Sequence, residues 1–164
     1  MASMRRTLTL ALSLVVVAAG LTELRGSSGA AAAPERDGAS SAAKKKKGAK
    51  LQVGKSEYGR VVMNARGEAL YLFDKDTGRS SQCYGECAEA WPPLLTRGKP
   101  RAGEGIDAKK LGTTRRDDGR RQVTYRGHPL YYYVHDSPGN ILCQNVSEFG
   151  GLWLLVNGRG NAVR

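Results

Sequence analysis

The chain has 164 residues, 26 of them Lys or Arg against 15 Asp or Glu, giving a formal charge of +11; 40% are hydrophobic and 7% aromatic. That length holds one domain of ordinary size, or a smaller one with tails, and excludes a multidomain machine. Such a charge invites a nucleic-acid partner, so its distribution along the chain decides whether that class survives.

Residues 1–33 read as a signal peptide. Arg5-Arg6 form a cationic start, Thr7 to Leu21 is almost wholly apolar, and Gly29 to Ala33 offers small-residue cleavage sites. The apolar run falls short of the roughly 20 residues a span needs, so no transmembrane span is expected in the mature chain. Met4 stands where a twin-arginine signal carries Ser or Thr, which favours the general secretory route. The first cysteine is Cys83, which leaves no lipobox, and the protein is expected to be secreted or cell-surface without a lipid anchor. Residues 34–50 are rich in Lys, Ala and Ser and nearly devoid of large apolar side chains, the composition of a flexible linker. Its run Lys44, Lys45, Lys46, Lys47 is either a solvated spacer or a weak tether to anionic cell-envelope polymers or a lipid surface.

Of the +11, the first 33 residues carry +2, residues 34–50 carry +4, and residues 51–164 the remaining +5. The chief basic cluster of the last segment, Arg115-Arg116 and Arg120-Arg121, holds Asp117-Asp118 between its pairs. A single-stranded nucleic-acid platform wants uninterrupted positive charge with stacking aromatics. Nucleic acid therefore falls away as a partner.

Residues 51–164 contain an internal repeat. A shift of 60 residues lays Arg66-Gly67-Glu68-Ala69-Leu70-Tyr71-Leu72-Phe73 on Arg126-Gly127-His128-Pro129-Leu130-Tyr131-Tyr132-Tyr133, then Asp76 on Asp136 and Cys83 on Cys143; Trp91 and Trp153 match after a two-residue slip. The units run from about 56 to 95 and from about 111 to 158. Each reads as a β-hairpin. In the first, Arg60 to Met63 turns through Asn64 to Gly67, with Asn and Gly at the ends of a type I turn, and returns as Ala69 to Phe73. In the second, Arg121 to Tyr125 turns at Arg126-Gly127 and returns as Leu130 to Val134. A further hairpin is expected from Leu111 to Arg116 through Asp117-Asp118-Gly119, and a closing strand over Leu152 to Val156. The only helical candidates are Tyr84 to Ala90 and Asp107 to Leu111. The fold class is mainly β: a small antiparallel sheet domain of two pseudo-repeated hairpin units with one or two short helical turns.

Both return strands carry Tyr-x-(Phe/Tyr)-x-x-Asp: Tyr71, Phe73, Asp76 and Tyr131, Tyr133, Asp136. Side chains two apart share a face, so each unit stacks two aromatics and sets a carboxylate just past the strand end. Such aromatics ordinarily fill a core, and such an Asp ordinarily accepts turn N–H groups; a ligand face is the other reading.

Three cysteines in an exported chain imply a disulfide and one thiol left over, with Cys83–Cys87, Cys83–Cys143 and Cys87–Cys143 all open on spacing alone. The same thiols with His128 or His135 make up the alternative function, a metal- or haem-linked extracytoplasmic redox protein. Asp74 to Gly78 opens like an EF-hand loop and fails, with Arg79 at the glycine position and Gly85 at the glutamate position. No hydrolase or phosphate-loop motif occurs, so no catalytic residue, resident metal or cofactor is assigned.

The blocks Leu70-Tyr71-Leu72-Phe73-Asp74-Lys75-Asp76, Cys83-Tyr84-Gly85-Glu86-Cys87-Ala88, Trp91-Pro92-Pro93-Leu94, Gln122-Val123-Thr124-Tyr125 and Gly127-His128-Pro129-Leu130-Tyr131 resemble the secreted-repeat family of unknown function, described as predicted lipoproteins with a Yx(FWY)xxD motif. The resemblance covers roughly residues 56 to 158. It implies an exported envelope protein of paired repeats without an established enzymatic activity, and a Cys83–Cys87 disulfide. The missing lipobox sets this chain apart from the lipoprotein description. The resulting expectation is a non-enzymatic binding or structural module.

Overall fold

Period-2 alternation sets most of the architecture. Leu51 and Val53 face inward from β1 (Lys50–Ser56), and Val61 to Asn64 are buried in its antiparallel partner β2 (Gly59–Asn64), with Val53 opposite Val62. The computed structural model describes residues 47–164; the segment expected to be a signal peptide, and the expected linker up to Lys46, lie outside the described residues. Further along come β3 (Tyr71–Phe73), helix α1 (Glu86–Ala90), β4 (Arg101–Ala102), a 3₁₀ turn (Ala108–Lys110), β5 (Leu111–Arg115), β6 (Arg121–Tyr125), β7 (His128–Pro129), β8 (Val146–Glu148) and β9 (Gly151–Leu155). They form three small sheets, ordered β2-β1-β4, β3-β9-β8 and β5-β6-β7, antiparallel except for the parallel β1–β4 pair. The mainly β expectation holds. Among the described residues no helix is long and apolar enough to cross a membrane.

Local chemistry places the turns. Gly67 N–H donates to the Asn64 carbonyl, while Asn64 Oδ1 accepts the N–H groups of Arg66 and Glu68. The second hairpin turns more tightly, with Arg126 at φ 52° and Gly127 at φ 87°. Two positive φ values in succession suit a type I′ turn, whose twist matches the flanking strands. Asp107 caps the 3₁₀ turn by accepting the Lys109 N–H.

Each return strand departs from a simple hairpin. β2 meets its return only at the Met63–Ala69 bridge, and β3 then pairs with β9, in register Tyr71–Leu155, Leu72–Leu154 and Phe73–Trp153. The reason is an exchange between repeats. Val156, at the end of the second repeat, donates its N–H to Leu70 O and accepts from Val62 N, both in the first repeat. Leu94, at the end of the first, donates to Leu130 O and accepts from Val123 N, both in the second. Each repeat thus wedges its last segment between the two strands of the other.

The wedged segments are buried on both faces. One layer of the core is aromatic and gathers Tyr71, Phe73, Trp91, Tyr131 and Trp153; the other is mostly aliphatic and gathers Leu51, Val62, Leu70, Leu94, Leu130 and Val156. Adjacent residues along β3 and β9 therefore serve opposite layers, as pleating requires.

The chain joins this fold before residue 51, inside the stretch read from the sequence as linker. Gly48 is buried, and Ala49 donates to Thr96 Oγ1 and accepts from Arg101 N.

Because each repeat lacks its own closing segment, neither should fold alone. Expressed separately, residues 47–104 and 105–164 are expected to lack near-ultraviolet circular dichroism, and to regain it when mixed. A native spectrum from either fragment alone would contradict the exchange.

Candidate functional site

The two motifs meet at the centre of the molecule. Tyr71 and Tyr131 face one another across an antiparallel bridge and exchange two backbone hydrogen bonds of 3.0 Å. Both are fully buried. Their hydroxyls then cross over: Tyr71 donates to Asp136 Oδ2 at 2.5 Å, and Tyr131 to Asp76 Oδ2 at 2.9 Å. The remaining oxygen of each carboxylate accepts the N–H six residues on, from Gln82 at 2.8 Å and Leu142 at 2.9 Å. Each motif aspartate thus fixes its own loop and holds the tyrosine of the other repeat. Burial, reinforced by the neighbouring carboxylate, pushes both tyrosines above their ordinary range. Asp76 is pushed up to about 6 by burial, against the pull of Gln82 N–H, the Tyr131 hydroxyl and the Arg116 charge.

The aromatics cross over as well. Phe73 of the first repeat stacks on Trp153 of the second at 4.1 Å, and the two tryptophans stack on one another at 4.0 Å. Tyr133 of the second repeat leans on Trp91 of the first at 4.7 Å. Edges complete the cluster, Tyr71 against Trp91 and Tyr131 against Trp153. Trp91 Nε1 donates to Glu148 Oε2 at 2.9 Å, whereas Trp153 Nε1 is buried with no partner among the described residues.

Cys83 and Cys87 form a disulfide across the start of α1. Cys143 is free and half-buried. Burial pushes its thiol up, while its hydrogen bond with Tyr133 is the largest cause pushing that phenol up to about 12. The donors of a metal or haem site are dispersed: two thiols sit in the disulfide, His128 lies at the β6–β7 turn, and His135 is exposed with its ring edge-on to Tyr133. No three of His, Cys, Asp and Glu converge as a metal-binding group among the described residues.

Arg116 is a site residue that sequence reasoning missed. The sequence places it in the chief basic cluster, yet it is 2% exposed. Its Nη1 donates to Ser81 Oγ and Gln122 Oε1, its Nη2 to Cys83 O, and it lies 4.3 Å over the Tyr84 ring. Ser81 Oγ is also 2.8 Å from the Tyr131 hydroxyl, so a polar chain runs from Asp76 through Tyr131 and Ser81 to Arg116. Strand parity held the signal. Thr114 faces Gln122 in the β5–β6 register, and Arg116, two residues on, falls on the side where Gln122 is buried.

Beside the clasp opens a cleft of ≈ 230 Å³ lined by Pro92, Tyr132, Tyr133, Asp136 and the Arg66–Glu68 ion pair. Arg66 holds the Glu68 carboxyl below its usual range.

A family model described as a secreted repeat of unknown function matches residues 52–95 and again residues 112–157. The chain belongs to this secreted-repeat family. No curated protein and no solved structure gives a match. Each matched stretch contributes one motif, so in this secreted-repeat protein each motif tyrosine hydroxyl meets the aspartate of the other copy.

Tyr71→Phe and Tyr131→Phe are each expected to lower unfolding stability in urea by about 1–3 kcal/mol, since a half-buried carboxylate loses a charge-assisted bond. Tyr71→Phe combined with Asp136→Asn should cost less than the sum of the two single changes. A second measurement follows from Asp76. Its folded-state proton is held above the ordinary carboxylate value of 3.8, so the side chain contributes less stability as pH rises from about 4 to about 6. Asp76→Asn should remove this decline, by up to about 3 kcal/mol between pH 4 and 7.

Proposed function

We propose that the protein is a non-enzymatic binding module of the extracytoplasmic surface, in which the repeat motif is an internal clasp and the loops around it carry the contacts. The observation that supports this reading is the cross-bonding of the motif: both hydroxyls are donated to aspartates that also hold backbone N–H groups. General acid–base work needs a titratable group within reach of a substrate proton, and these groups face one another inside the fold. The adjoining cleft, lined by Tyr132, Tyr133, Asp136 and the Arg66–Glu68 pair, offers a binding surface of modest size.

The lysine run Lys44, Lys45, Lys46, Lys47 directly precedes the folded residues and supplies the tether. Four adjacent cations attract an anionic polymer within a Debye length, about 10 Å at 0.1 M salt. The redox alternative draws less support. Cys143 is the sole unpaired thiol of three, and burial opposes the thiolate that metal ligation requires.

Alkylation tests the cysteine assignment. Without reductant one thiol should react, at Cys143, and all three only after reduction and unfolding. Co-sedimentation with isolated anionic cell-wall material tests the binding. Retention is expected at low salt and reduced by replacing the four lysines with Gln; no retention at low salt would refute the reading.

A further inference from the structure

A second cleft, of ≈ 520 Å³, lies where the turn of the second repeat meets the loop after the first motif. Its cationic lining is Arg79 from that loop, Lys109 and Lys110 from the 3₁₀ turn, and Arg126 from the hairpin, with the imidazole of His128 beside them. No carboxylate lines it. Asp107 approaches from outside, with Oδ2 4.0 Å from Lys110 Nζ, and its Oδ1 caps Lys109 N–H. Arg79, Lys109, Arg126 and His128 have no ion-pair partner among the described residues.

The other repeat provides an internal control. Arg126-Gly127-His128 corresponds to Arg66-Gly67-Glu68. In the first copy Glu68 neutralises Arg66 at 2.8 Å; in the second His128 takes the place of Glu68 and the guanidinium is unpaired. Arg79 corresponds to Gly139, so the matching surface of the other half lacks this cation too. Arg126 also holds a positive φ of 52°, where hairpin turns favour Asn, Asp or Gly. The two copies share a backbone plan, and positive charge has been gathered on one of them.

We propose that this cleft binds the phosphate groups of a soluble polyanionic polymer. Two guanidiniums offer forked donors for phosphate oxygens, and two ammonium groups add point charge. A polymer fits better than a bilayer, because the lining carries no large apolar side chain to insert among acyl chains. Nucleic acid fits less well, because no aromatic platform lines the cleft. The inference rests on the binding-module reading and gives that module a ligand class.

Calorimetric titration of the full chain with short-chain inorganic polyphosphate tests it. Arg79→Gln/Lys109→Gln/Arg126→Gln should weaken binding about tenfold or more and flatten its salt dependence. Lys55→Gln/Lys99→Gln/Arg115→Gln, which removes equal charge from exposed positions outside the cleft, should weaken it by less than about threefold. The same contrast should persist when Lys44 to Lys47 are changed to Gln. Polyphosphate should also raise the titration midpoint of the His128 ring in nuclear magnetic resonance, since burial and the Arg126 charge hold it down in the free protein. Orthophosphate is expected to bind more weakly than the polymer. Equal losses in both triple variants, an unmoved His128, or binding to anionic phospholipid vesicles without binding to polyphosphate would each overturn the proposal. Cell-wall retention would then still stand as the separate test of the module.

Discussion

Everything in this molecule depends on a backbone constraint: the segment that completes each repeat's sheet comes from the other repeat. Val156 supplies the donor and acceptor that Leu70 and Val62 need, and Leu94 does the same for Leu130 and Val123. Without the exchange those buried groups would face an apolar core unpaired, at a cost of roughly 1–3 kcal/mol each. One copy taken alone would leave an open edge inside its own core. The tyrosine–aspartate clasp and the crossed aromatic stack lie on the strands this exchange brings together. A single geometry thus closes the sheets, buries the aromatics and satisfies the motif's polar groups.

Within that symmetric frame the polar interior is lopsided. The Asp76–Tyr131 side connects through Ser81 to a buried guanidinium, whose closest carboxylate is Asp118, 3.9 Å from Arg116 Nε. Burying a charge is costly unless hydrogen bonds replace its water. Arg116 meets that condition at Nη1 and Nη2, through Ser81, Gln122 and the Cys83 carbonyl, and its face is covered by Tyr84, whereas its Nε is buried with no hydrogen-bond partner among the described residues. Those partners bind it to the loop that carries the disulfide. The first repeat's loop is thus held covalently by Cys83–Cys87 and electrostatically by Arg116 of the second, whereas Cys143 of the second repeat has no disulfide partner.

The repeat, the hairpin turns, the β5–β6 hairpin and the closing strand were legible in the sequence, because alternation and turn residues act locally. Glu86–Ala90 and Ala108–Lys110 fall within the two predicted helical stretches. β4, two residues long and paired with β1, escaped, and so did three further features. β1 was missed because its alternation rests on Leu51 and Val53 alone, although the 60-residue shift lays it under the strand expected from Leu111. β8 was missed because Val146 to Glu148 is short and gains its strand character from pairing with β9. The crossing of the motif hydroxyls was out of reach, since neither the spacing within one copy nor the match between copies says which carboxylate a tyrosine meets. Arg116 lay between these cases: its charge suggested surface, its parity the interior.

Symmetry also explains where function can reside in such a frame. Groups at the centre answer to both copies at once, so changing Tyr71 or Asp136 disturbs a bond on which the exchange relies. Groups in the loops answer to one copy only. The clearest divergence between the halves accordingly sits outside the core: a helix where the partner has β8, a disulfide where the partner has a free thiol, and Arg126-Gly127-His128 opposite Arg66-Gly67-Glu68. The last of these turns a charge-balanced surface into a positive one while leaving its backbone turn in place. In the first half the carboxylate cancels the guanidinium, and in the second the cations of three loops add. Four cations, Arg79, Lys109, Lys110 and Arg126, thus meet on one face, and the constraint that locks the core is what leaves that face free to differ.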